Sequence, residues 1–170
     1  MVASLENKIG YQFSDPSLLE SALRHRSIGS RHNERLEFLG DSVLGLAVSE
    51  ALFERYPQAS EGELTHLRAR LVRQPTLASV ARRIDLGRAL KLGPSAGRSG
   101  GSDRASILAD ALEAVIAAVF LDTGFQRAKG VTLSLFAAEI AGLEDGVIEK
   151  DPKTQLQELL QATGSKPPDY

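Results

Sequence analysis

The chain has 170 residues, of which 42% are apolar and 25% charged, with a formal net charge of −2 at pH 7. That length supports one substantial hydrophobic core plus an appendage, and the apolar share excludes a disordered class. Cysteine is absent, which excludes disulfide staples and thiolate metal sites and suits a cytosolic protein; no run reaches bilayer-spanning length, and residues 1–6 lack the basic and apolar regions of a signal peptide.

The pattern reads as helix after helix, with no two-residue alternation that would mark a strand. Asp15 followed by Pro16 is an N-cap with proline at the first helical position, opening a helix to about residue 23. Asn33 is placed to cap a long helix to about residue 55, where Tyr56-Pro57 stops it. Ser60 and Glu63 have the spacing of a capping box, so a helix is expected to about residue 73, before Pro75, with another over about 76–84. Residues 93–101, with Gly93, Pro94, Gly97, Gly100 and Gly101, read as a loop. It is no Walker-type phosphate cradle, because no Gly-Lys-Ser/Thr follows. An apolar helix over about 103–122, closed by Gly124, and a helix over about 125–141 come next. The pattern breaks at 144–150, and Asp151-Pro152 opens one more helix to about residue 163, with Leu156, Leu159 and Leu160 on its apolar side. One helix and a short tail cannot build a core. The expected division is therefore a domain over 1–145, a linker over 146–150, and the opening piece of a second domain over 151–170.

Two of these helices carry acids in apolar surroundings. Glu37 and Asp41 lie one turn apart on one face, their Cβ atoms about 5–6 Å apart. Leu36, Phe38, Leu39, Val43, Leu44 and Leu46 crowd around them, so the pair is expected to be withdrawn from solvent. Uncompensated burial of like charges costs roughly several kcal/mol each. Asp110 and Glu113 are the charged residues of the stretch 107–120 and again share a face. A helix apolar nearly all round is central in its domain. Two such helices can oppose four carboxylates across a gap, and an oxygen-only donor set suits a hard cation, Mg²⁺ or Mn²⁺. The competing readings are solvated helix acids for Glu37 and Asp41, and neutralisation of Asp110 and Glu113 by Arg35 or Arg104. His25, His32 and His66 form no helical pair, which argues against zinc. Gly40 and Gly45 each cost roughly 1 kcal/mol against alanine within a helix, which points to close backbone approach or to room at the site.

Positive residues cluster at Arg24, Arg26, Arg31 and Arg35; at Arg68, Arg70 and Arg73; at Arg82, Arg83, Arg88 and Lys91; and at Arg98 and Arg104. Such patches admit nucleic acid as a partner, although solvated helix faces produce them too. His25 and His66 then read as structural or RNA-facing rather than catalytic.

The run Asn33-Glu34-Arg35-Leu36-Glu37-Phe38-Leu39-Gly40-Asp41-Ser42 resembles the signature of bacterial ribonuclease III. Ser99-Gly100-Gly101 and the later Ser106-Ile107-Leu108-Ala109-Asp110-Ala111-Leu112-Glu113-Ala114 are similar to its second acidic segment. Asp151-Pro152-Lys153-Thr154-Gln155-Leu156-Gln157-Glu158 resembles the start of the double-stranded-RNA-binding domain that follows in that family.

The resemblance implies an all-α endonuclease domain followed by a truncated α+β RNA-binding domain. It implies a cytoplasmic homodimer, without membrane attachment, that hydrolyses double-stranded RNA in ribosomal and messenger RNA processing. The products would carry 5′-phosphate and 3′-hydroxyl ends with short 3′ overhangs. By motif position, Glu37, Asp41, Asp110 and Glu113 match ligands of Mg²⁺, for which Mn²⁺ substitutes, and Asp41 and Glu113 match catalytic acids. Glu61 stands where the family has a further acid. Phe38 matches an aromatic that packs into the partner subunit, the alternative being plain core. Thr154, Gln157, Glu158 and Gln161 match RNA contacts of the second domain, and loss of most of that domain implies weaker, strongly salt-dependent RNA binding. A silent, RNA-binding relative would be expected to lack one of the four acids, and all four are present.

Overall fold

In the computed structural model, which describes residues 2–143, helices start and stop largely where the capping signals put them. In chain order they are α1 (Val2–Ile9), α2 (Pro16–Ala22), α3 (Glu34–Arg55), α4 (Glu61–Val72), α5 (Gln74–Arg83), α6 (Leu86–Ala89), α7 (Pro94–Arg98), α8 (Ala105–Thr123), α9 (Phe125–Leu135) and α10 (Ala137–Ala141). Short 3-10 turns occupy Arg26–Ile28 and Gly101–Asp103. The described residues hold no strand; a single parallel bridge joins Arg24 to Lys91. The expected helix after Asp151, the linker and the residues Thr154, Gln157, Glu158 and Gln161 lie outside the described residues.

The caps act as their chemistry demands. The Asp15 carboxylate accepts the Ser17 N–H at 2.9 Å. Ser60 Oγ accepts the Glu63 N–H at 3.4 Å while Glu63 Oε2 accepts the Ser60 N–H at 2.7 Å, completing the capping box. Gly124 ends α8 at φ +83°, a conformation that favours glycine. Helix α8 is the axis of the domain, with Leu108, Leu112, Val115, Ile116 and Val119 buried on several sides. It packs against α3, α5, α2 and α9. Helix α3 contributes Val43, Leu44, Ala47, Val48 and Leu52 to that contact surface. No helix among the described residues is long and apolar enough to cross a membrane.

Four local features depart from the sequence reading. Residues 93–101 are not an open loop: Pro94 starts α7, and Gly101 sits so close to the Ala96 carbonyl that a Cβ would lie 2.6 Å from its oxygen. The single helix expected over 125–141 breaks at Phe136. There Arg83, on α5, donates to the Leu135 carbonyl and holds Glu139 at 2.7 Å, capping α9 from outside. Asn33 precedes α3 as expected, yet its side chain does not cap it. The side-chain amide instead donates to Ala22 O at 3.2 Å, tying the start of α3 to the end of α2. Helix α1 also forms, burying Leu5 and Ile9, without a capping signal that announced it.

Candidate active site

Helices α3 and α8 meet backbone to backbone at Gly40. A Cβ on that residue would stand 1.9 Å from the Glu113 carbonyl oxygen, so only glycine permits this spacing. By contrast, Gly45 faces open space, and close approach within the chain does not explain it. At the level of Gly40, α3 presents Glu37 and Asp41 while α8 presents Asp110 and Glu113. The contact gathers one carboxylate oxygen each from Glu37, Asp110 and Glu113 within 4.8 Å of one another.

These three acids are half-buried and Asp41 is exposed, so the expectation of a fully withdrawn Glu37–Asp41 pair is corrected. The reason lies on α3. Val43 and Leu44 enter the core, but Phe38 at 79% exposure and Leu46 at 56% face outward beside the acids. Phe38 is therefore not core. Asp41 stands outside the three-acid group, yet its charge is the largest electrostatic influence on Glu113. Glu61, in the first turn of α4, is exposed and accepts the Thr65 hydroxyl at 2.8 Å, also outside the group.

Burial, with crowding of like charges, shows in the acidity of the group. Burial pushes the Glu113 carboxyl up from 4.5 to about 8, helped by the charges of Asp41, Glu37 and Asp110. Glu37 is raised by burial and by Asp110 and Glu34; Asp110 is raised by burial, against the pull of His25 and Arg26. Among the described residues no arginine or lysine forms an ion pair with Glu37, Asp110 or Glu113, so Arg35 and Arg104 do not neutralise them. Converging carboxylates, unpaired and short of compensating charge, fit a divalent cation with hard oxygen preference.

The native chain keeps on Glu113 a proton that the unfolded chain releases near 4.5, so metal-free stability falls as pH rises from 4.5 to about 8. A cation must displace that proton. The rise in melting temperature caused by Mg²⁺ should therefore grow between about pH 6 and about pH 9, as read by thermal scans. An equal rise at both pH values would mean that Mg²⁺ does not bind this group.

A cleft of about 370 Å³ opens beside the acids, lined by Glu37 and Asp110 together with His25, Arg26, Asn33 and Arg104. The sequence left His25 as structural or RNA-facing and did not place it beside the acids. Its placement depends on the bridge between Arg24 and Lys91, a contact between distant segments that no local pattern encodes.

The family model described as Ribonuclease-III-like matches residues 15–140. Ribonuclease 3 of Xanthomonas oryzae pv. oryzae is 56% identical over 162 residues, covering 95% of this chain and 72% of that protein. The nuclease domain of ribonuclease III from Campylobacter jejuni superposes with a TM-score of 0.80 at 41% identity, over 84% of this chain and 98% of that one. A second structure of the same domain, described for structural flexibility in a region involved in dimer formation, gives a TM-score of 0.81 at 42% identity, over 83% of this chain and 99% of that one. The acid-bearing helices α3 and α8 both lie inside the matched span, and the chain belongs to the ribonuclease-III-like family of endoribonucleases.

Proposed function

We propose that this chain cleaves double-stranded RNA with the help of Mg²⁺ or Mn²⁺, leaving 5′-phosphate and 3′-hydroxyl ends with short 3′ overhangs. The observation that carries the reading is the convergence of Glu37, Asp110 and Glu113 within 4.8 Å, without a neutralising cation among the described residues. Asp41, exposed one turn on from Glu37, would complete the set as a fourth ligand. Glu37, Asp110 and Glu113 would hold the ion, which would supply an acidified water and charge stabilisation at the departing 3′ oxygen. The chain itself supplies orientation: α3 and α8, locked at Gly40, keep the carboxylates fixed while the strand enters. Incubation of a radiolabelled RNA duplex with the protein tests the reading. Cleavage with Mg²⁺ that stops on addition of EDTA is expected, and cleavage that continues in EDTA would refute it.

The same proposal includes a homodimer, because one site cuts one strand and a staggered double cut requires two sites related by symmetry. Phe38 at 79% exposure, Leu46 at 56% and Phe53 at 71% recur along α3 at seven- and eight-residue spacing, an apolar stripe next to the acids. Exposed large apolar groups in a row are characteristic of a subunit contact. The Campylobacter jejuni nuclease domain, described with a region involved in dimer formation, supports a dimer in general, and the exposed stripe on α3 is the face proposed for it. Light scattering should give a dimer mass for the wild type and a shift toward monomer for Phe38→Glu. A dimer mass unchanged by Phe38→Glu would place the contact elsewhere. In the cell we propose a cytoplasmic role in processing ribosomal and messenger RNA, with the RNA contacts Thr154, Gln157, Glu158 and Gln161 adding affinity.

A further inference from the structure

Two distant segments are laced together at the rim of the acid cleft. The His25 N–H donates to Lys91 O at 3.1 Å, the Lys91 N–H to Leu23 O at 2.8 Å, and the Gly93 N–H to Ser27 Oγ at 2.8 Å. Glycine is required at 93, since a Cβ there would lie 2.3 Å from the Ser27 carbonyl oxygen. This lacing makes the His25 ring part of the wall that also carries Glu37, Asp110 and Arg104.

The proton on that ring has a defined place. The Ser27 N–H donates to Nδ1 at 3.2 Å. The Ser27 hydroxyl oxygen already accepts from Gly93, leaving its own proton to donate to Nδ1 at 2.9 Å. Nδ1 is thus an acceptor, and the imidazole proton resides on Nε2. Burial, then the charge of Arg26, hold the imidazole below its ordinary pKa, against the opposing pull of Asp110. Nε2–H has no hydrogen-bond partner among the described residues.

We propose that His25 is a substrate-contacting residue whose Nε2–H donates to a non-bridging phosphate oxygen of the RNA strand beside the scissile bond. The assignment rests on the reading of the cleft as an RNA-cutting centre. Phosphate is the matching acceptor because Arg104, exposed on the same cleft and in no ion pair among the described residues, adds unsatisfied positive charge next to the donor.

The test compares wild type, His25→Ala and His25→Gln on RNA duplexes carrying a single methylphosphonate at successive positions around the cut. His25→Ala should lower kcat/KM about tenfold, mainly through KM. His25→Gln, whose amide N–H reaches a similar point, should recover most of that loss. The Mg²⁺-induced rise in melting temperature should be unchanged in both variants. One methylphosphonate position should impair wild type while costing His25→Ala nothing further. Wild-type kcat/KM in His25→Ala, or equal sensitivity of both proteins at every position, would overturn the proposal. Loss of Mg²⁺ stabilisation in His25→Ala would also overturn it, since the ring would then act on the carboxylates. Wild-type protein that leaves the unmodified duplex intact in Mg²⁺ would instead defeat the nuclease reading itself, and this proposal with it.

Discussion

Glu113→Gln should abolish RNA cleavage while leaving the fold intact. The substitution keeps the side-chain shape and removes the charge that a cation needs. Loss of supporting residues around a metal typically costs 10–100-fold, so loss of a direct ligand should lower the cleavage rate by more than about a hundredfold. The same change relieves the group. Wild-type Glu113, raised to about 8, is forced to ionise among Asp41, Glu37 and Asp110 in alkaline solution. Without metal at about pH 9, Glu113→Gln should therefore melt no lower than wild type, and Mg²⁺ should raise its melting temperature less. Cleavage at the wild-type rate would remove Glu113 from the chemistry. A collapsed melting temperature would show that the carboxylate is structural.

Gly40→Ala should damage both stability and activity, although it changes no charge. Alanine is worth about 1 kcal/mol over glycine inside a helix. Against this, the new Cβ would stand 1.9 Å from the Glu113 carbonyl oxygen, a backbone atom that cannot rotate away. Forced repacking of this kind costs typically about 1–3 kcal/mol, so the helices α3 and α8 must separate and the net effect is destabilising. Separation moves Glu37 away from Asp110 and Glu113, and cleavage should fall at least about tenfold even at temperatures where the variant is folded. Chemical denaturation and cleavage assays on the same preparation check both halves. A variant as stable and as active as wild type would show that the helices tolerate a wider gap.

Much of this arrangement was legible because its causes are local. Asp15-Pro16, Ser60 with Glu63, and Gly124 set helix ends through bonds spanning a few residues, and each end lies where those residues place it. The apolar run of α8 announced a central helix for the same reason. What escaped depends on distant partners. The break at Phe136 is made by Arg83 from another helix, and Asn33 turns from its own helix to the Ala22 carbonyl. At the site, the acids were legible as pairs, and the structure joins Glu37 with Asp110 and Glu113 while leaving Asp41 exposed at the rim. The acids are less buried than their apolar neighbours imply, because sequence does not distinguish apolar residues facing the core from Phe38, Leu46 and Phe53 on an outer stripe.

If these carboxylates hold the divalent ion on which RNA cleavage depends, the ion itself can be located between them. Crystals grown with Mn²⁺, measured near its absorption edge, locate that ion without reference to activity. An anomalous peak is expected between Glu37, Asp110 and Glu113, within about 2.0–2.3 Å of their oxygens, and its loss in Glu113→Gln. A peak elsewhere on the protein, or none at saturating Mn²⁺, would contradict that placement of the ion.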